Sequence, residues 1–223
     1  LRFDLRGMGD SEGTLRNFEH LSPDIAAAID ALQLAVPAVR RVVLWGLCDG
    51  ASAALLYLDD SGHDPRVQGL VLLNPWVRSD ATLAATHVKH YYLQRLLQRE
   101  FWAKLLRGQV SGASLQVLFG NLELAIRSKK TKRSATVAPA QPFTLRMARA
   151  WERFEGQVLV ILSGKDYTAK EFVESWASSE WASARKHRRT SRVDIPDADH
   201  TFSTAGSRAS AERHSMEWFS KWA

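Results

Sequence analysis

Val42-Val43-Leu44-Trp45-Gly46-Leu47-Cys48-Asp49-Gly50-Ala51-Ser52-Ala53-Ala54-Leu55-Leu56-Tyr57-Leu58 is the stretch that decides the fold. Its first four residues form a short, continuously apolar run of the kind buried inside a parallel sheet. Ala51 to Leu58 has the small and apolar composition of a helix packed on such a sheet. Between them, Gly46-Leu47-Cys48-Asp49-Gly50 must turn sharply. A reactive side chain at the tip of such a turn takes a strained backbone conformation, and strand and helix approach so closely that the positions two before and two after need to be tiny. Gly46 and Gly50 meet that requirement, so the pattern is a nucleophile elbow with cysteine at its tip. The helix N-terminus lowers the cost of a Cys48 thiolate and offers the Asp49 N–H to a developing oxyanion. The plainer alternative is a small apolar side chain buried in an ordinary turn, since cysteine is among the most buried residue types.

Upstream of the turn, Leu1-Arg2-Phe3-Asp4-Leu5 alternates apolar and polar residues as a strand does, and Arg6 to Gly13 is a glycine-rich loop. Ser22-Pro23-Asp24 places a cap and a first-turn proline before the apolar face Ile25, Ala28, Ile29 and Leu32 of a helix. Downstream, Val67 to Leu73 is a second buried strand, stopped by Asn74-Pro75. Residues 80–126 carry apolar residues at helical spacing with no strand-like run, which reads as a helical insertion. Ser128 to Gln141, with its Lys/Arg cluster, reads as a solvated link that meets anionic groups at most loosely. The alternation resumes with a helix near Phe143 to Phe154, a strand Val158 to Leu162, a helix Ala169 to Ser178, a strand Arg192 to Ile195 and a helix Ser207 to Trp222. The expected architecture is α/β: a mostly parallel sheet with helices on both faces, its core made of 1–79 and 142–223, interrupted by a helical cap plus basic linker at 80–141. Because the chain starts with Leu inside a strand-like stretch, it is expected to be a fragment whose N-terminal strands are missing.

The 223 residues are 45% hydrophobic, enough for a sizeable core, and include one cysteine, which excludes an intrachain disulfide and favours a reducing, cytoplasmic setting. No apolar stretch reaches the roughly 20 residues that cross a bilayer, and residues 1–15 lack the order of a secretion signal. Thirty Lys and Arg against 24 Asp and Glu give a net charge of +6, but no zinc-finger spacing, RNP-type motif or basic heptad helix accompanies it, so no nucleic-acid partner is expected.

A cysteine nucleophile needs a base, and the base needs an orienting carboxylate. Ser163-Gly164-Lys165-Asp166 follows directly on the strand 158–162, and Asp197-Ala198-Asp199-His200 directly on the strand 192–195. Loops after parallel strands share one edge of the sheet, so Cys48, Asp166 and His200 are expected to converge. Asp166 could instead simply cap the following helix, and Asp197 or Asp199 could serve as the acid, although neighbouring side chains in a tight loop usually diverge. His20, His63, His87, His90, His187 and His214 follow no such strand end. His87 and His90 lack carboxylate or cysteine partners, so neither a metal nor another cofactor is expected. Trp76, Tyr91, Tyr92, Phe101 and Trp102 are candidates for an apolar acyl or aryl pocket, against the plainer reading of core aromatics.

Taken together, Asp4-x-Arg6-Gly7-x-Gly9-x-Ser11, the elbow at Cys48, Asp166 and His200 resemble the α/β-hydrolase superfamily over nearly the whole chain. The Trp45-Gly46-Leu47-Cys48-Asp49 elbow and the Asp4 to Gly13 stretch are similar to the type 1 hydrolase associated with the exosortase A system of exopolysaccharide-producing bacteria. Dienelactone hydrolases are a second group with cysteine at this position. The resemblance implies an α/β-hydrolase fold and a cytoplasmic hydrolase of ester or thioester substrates, linked to export or exopolysaccharide synthesis. It further implies a third strand between 1–5 and 42–45, so that a fragment would carry a gap in its sheet and lack the second oxyanion donor. An acyltransferase with the same triad and a non-catalytic accessory protein are the rival readings; the oligomeric state stays open.

Overall fold

The computed structural model describes residues 1–78 and 141–221. Four strands, β1 (Val42–Leu47), β2 (Val67–Leu73), β3 (Gln157–Ser163) and β4 (Thr190–Ile195), lie in the order β1-β2-β3-β4 with every pairing parallel. Around them stand α1 (Ser22–Ala35), α2 (Asp49–Asp60), α3 (Phe143–Arg153), α4 (Tyr167–Ala177) and α5 (Ala205–Ser220). Leu1–Val77 and the segment that begins at Gln141 form one compact unit. The parallel sheet covered by helices is the α/β architecture expected from the sequence.

The continuous apolar runs are explained by burial on both sides. Leu70, Leu72, Val158, Val160 and Leu162 join a core with α1, α2, α3 and α4, while Val71, Leu73, Leu159 and Ile161 join a second with Ala211 and Trp218 of α5. Alternate residues of one strand thus feed opposite layers, as the two-residue side-chain period of a strand requires. Eight consecutive residues of α2, Ala51 to Leu58, are buried, which is why this helix carries small and apolar residues all round. Trp151, Phe172, Trp176 and Trp181 pack ring against ring beneath β3 with centroids 4.8–6.2 Å apart, a distance at which aromatic pairs attract beyond simple burial.

Three expectations need correction. Leu1–Leu5 is not a strand: among the described residues β1 is the outermost strand and none pairs with the N-terminal segment, so alternation without a partner makes no ladder. A groove of about 640 Å³ separates the two, lined on one side by Leu1, Phe3 and Leu5 and on the other by Val43, Trp45 and Leu47. Ser22 does not cap α1, because it is already helical and its hydroxyl donates to Asp60 Oδ2 at 2.6 Å. Helices α2, α4 and α5 each begin two residues before the sequence suggests, because residues at a first turn leave no apolar period to read. The insertion expected at 80–126, and the basic link from Ser128 up to residue 140, lie outside the described residues.

Candidate active site

At the carboxyl end of β1 the chain enters α2 through Cys48, which has φ 58° and ψ −120°. A non-glycine residue there is strained by on the order of 1–3 kcal/mol, a cost that persists only where the surroundings hold it. Those surroundings are visible. The Cys48 N–H donates to the Leu73 carbonyl at 2.8 Å, and the Cys48 carbonyl accepts from the N–H groups of Ser52 and Trp76, each at 3.2 Å. A Cβ on Gly46 would stand 2.6 Å from the Gly50 carbonyl carbon, so strand and helix touch there. Gly50 differs from the expectation: a Cβ at that position meets nothing within 4 Å, because it faces the groove beside β1. Cys48 itself is half-buried. Asp49 opens α2 in an exposed position, where its N–H is one of the donors that no turn of the helix can satisfy.

Asp166 follows β3 and is the N-cap of α4, accepting from the Thr168 N–H at 3.1 Å and the Ala169 N–H at 3.2 Å. Its Oδ2 also lies 2.8 Å from His200 Nδ1. The two readings of this residue, cap and histidine partner, hold together. The carboxylate is 8% exposed and two amides plus an imidazole surround it, so an anion there is solvated by fixed donors. A carboxylate can only accept, so a neutral imidazole paired with it carries its proton on Nδ1 and leaves the Nε2 lone pair for other work.

Neither nearby aspartate competes. Asp197 is 92% exposed along its side chain and pairs with Lys165 at 3.0 Å. Asp199 is held by the Ser203 hydroxyl and by the Ser203 N–H at 2.9 Å, and these contacts keep its carboxyl below the usual range. The loops bearing Asp166 and His200 are stitched together: Gly164 N–H donates to Ile195 O at 2.9 Å and Lys165 N–H to Ala198 O at 3.0 Å. A Cβ on Gly164 would strike the Pro196 carbonyl at 2.2 Å, so this close approach demands glycine.

Trp76 follows β2 with its N–H on the Cys48 carbonyl, half-buried against the core beside α2. Tyr91, Tyr92, Phe101 and Trp102 lie outside the described residues, as do His87 and His90. Among the described residues no group of three or more His, Cys, Asp or Glu side chains could hold a metal ion, and no helix is long and apolar enough to cross a membrane. Asn74, legible in the sequence only as the end of a strand, also belongs to this region, its side-chain amide donating to the His200 carbonyl at 3.0 Å. Its signal was a polar, turn-tolerant residue at the end of an otherwise apolar run.

The pattern of the alpha/beta hydrolase family matches residues 1–212. This chain belongs to the alpha/beta hydrolase family. No curated protein matches it in sequence. Among solved structures, this alpha/beta hydrolase is similar to a thermophilic esterase from Thermogutta terrifontis, with TM-score 0.52 and 20% identity over 98% of this chain and 78% of the other. A lipase-esterase related protein from Clostridium acetobutylicum aligns with TM-score 0.52 and 16% identity over 95% and 80% of the two chains. A bromoperoxidase from Bacillus anthracis gives 0.51 and 16% over 98% and 80%. At such identities the likeness speaks for a shared alpha/beta hydrolase fold.

Proposed function

We propose that the chain is a hydrolase of ester-like substrates, carboxylic esters or thioesters, working through an acyl-enzyme on Cys48 with His200 as base and Asp166 as the carboxylate that orients it. The 2.8 Å contact between Asp166 and His200 Nδ1 carries this reading. It sits on loops at the same sheet edge as the strained turn that bears Cys48. His200 Nε2 takes the Sγ proton, the sulfur bonds the substrate carbonyl carbon, and the carbonyl electron pair moves to oxygen, where the Asp49 N–H steadies it. As the intermediate collapses, the bond to the leaving group breaks and His200 returns its proton to that group. Water then repeats the sequence: His200 takes a water proton, hydroxide attacks the thioester, and Cys48 departs as the thiol while the acid is released. The likeness of the Trp45 to Asp49 elbow to exosortase-associated hydrolases supports a cytoplasmic role beside exopolysaccharide synthesis.

A panel of p-nitrophenyl esters and acyl thioesters tests the proposal. Turnover is expected to fall about 10³-fold or more in Cys48→Ala and in His200→Ala. Wild-type and Cys48→Ala proteins that hydrolyse every substrate equally would overturn it. Ester products with added alcohols would identify an acyltransferase.

A further inference from the structure

We propose that Asn74 is a positioning residue for His200, an inference that rests on the acyl-transfer reading above. Asn74 directly follows β2, is 0% exposed and has φ 44°. A buried primary amide must satisfy two N–H donors and a carbonyl oxygen, and it is expensive to bury otherwise. Here all are engaged. Nδ2 donates to Ser163 Oγ at 2.6 Å and to the His200 backbone carbonyl at 3.0 Å, while Oδ1 accepts from the Ser163 N–H at 2.9 Å. The Asn74 backbone N–H reaches Ile161 O at 3.1 Å.

Asn74 and the residues around it lead to several parts of the candidate site. The preceding carbonyl, of Leu73, accepts the Cys48 N–H. Ser163 ends β3, three residues before Asp166. The His200 carbonyl belongs to a loop without regular structure, followed closely by Phe202 at φ 54°. The Asn74 side chain therefore joins the loops that carry Asp166 and His200, from a position next to the peptide that accepts the Cys48 N–H. The Asp166 carboxylate can direct the imidazole only if the His200 main chain is held in place, and the Asn74 amide is a buried donor on that peptide. The positive φ fits the same logic: asparagine tolerates the left-handed region better than most residues and brings the amide with it. A misplacement of about 1 Å from a residue away from the reacting atoms can cost on the order of 10²-fold.

Asn74→Gly accepts the backbone conformation and deletes only the amide. The readouts are kcat and KM on the best ester, the pH dependence of Cys48 alkylation by iodoacetamide, and the Nδ1 proton resonance of His200. We expect kcat to fall about 10- to 100-fold with KM within about twofold. The alkylation profile should move toward that of an ordinary thiol near about 8.5, and the Nδ1 resonance should broaden or vanish. A variant that melts earlier but keeps all three readouts would show a structural residue and overturn the proposal. If Asn74→Gly does not fold, Asn74→Asp keeps the acceptor for the Ser163 N–H and sets a carboxylate oxygen against the His200 carbonyl, and the same resonance decides. The two readings fail separately. A wild type without turnover whose variant still loses the Nδ1 resonance keeps the positioning and sinks acyl transfer; an active wild type with unmoved readouts in the variant sinks the positioning alone.

Discussion

Cys48, at φ 58°, depends on what its neighbours leave out, and the two glycines flanking it do unequal work. Gly46→Ala pushes a methyl into the Gly50 backbone and should cost about 1–3 kcal/mol in a denaturant titration, as overpacking does. Gly50→Ala meets no atom within 4 Å and adds helix propensity, so it should be neutral or stabilising by up to about 1 kcal/mol. Asp166 separates differently. Asparagine keeps one oxygen for the Thr168 N–H and puts an NH2 where Oδ2 meets the Ala169 N–H and His200 Nδ1, so Asp166→Asn should cost less than about 1 kcal/mol in stability while turnover on the proposed ester substrates falls about 10²- to 10⁴-fold. Asp166→Ala should add a loss of about 1 kcal/mol in stability, because the cap of α4 goes too. Cys48, Asp166 and His200 were legible as candidates because each lies in the loop that follows a strand of the α/β alternation. The need for Asn74 was not, since the carbonyl it holds lies 126 residues away and no local pattern announces such a bond.

At the scale of elements, charge clasps tie α2 to its neighbours. Asp59 near the end of α2 receives Arg149 Nε and Nη2 of α3, each at 2.7 Å, and Arg146 Nε at 3.1 Å. Burial alone would raise its carboxyl, yet the two guanidiniums hold it below the usual range. Asp59→Ala leaves Arg146 with Asp60 Oδ1 at 2.5 Å and Arg149 with Gln141 Oε1 at 2.6 Å but removes the carboxylate the two share, and should cost about 1–3 kcal/mol, read from urea titrations. Beyond the helix end, Arg66 foremost and then the Tyr57 hydroxyl hold Asp64 at about 2, from an ordinary 3.8. A depressed carboxylate stabilises above its unfolded value and loses that contribution as pH falls through the folded one. Wild-type stability should therefore decline between about pH 4 and 2 by roughly 2 kcal/mol more than in Asp64→Asn, followed as urea midpoints against pH. Helix and strand cores were readable from periodicity, whereas these clasps join residues up to 90 apart and carry no spacing signal. Ser22 shows the converse: a good capping residue by sequence is spent on Asp60 because α2 passes nearby.

For the molecule as a whole, the alternation of buried strands with helices was enough to give the parallel sheet and its two covered faces, because each layer imposes its own period. Strand membership of Leu1–Leu5 was not decidable locally, since a strand is defined by its partner and not by its own pattern. The outer side of β1 follows from that. Trp45 is 54% exposed, Phe3 42% and Leu1 74%, around a backbone rim of six residues that β2 engages from one side only. Such a rim is a template on which foreign backbone can crystallise, one molecule upon the next. Turbidity on warming should accordingly grow steeply with concentration, and Trp45→Lys, which plants a like charge along that template at an exposed position, should delay its onset while changing the unfolding free energy by no more than about 1 kcal/mol.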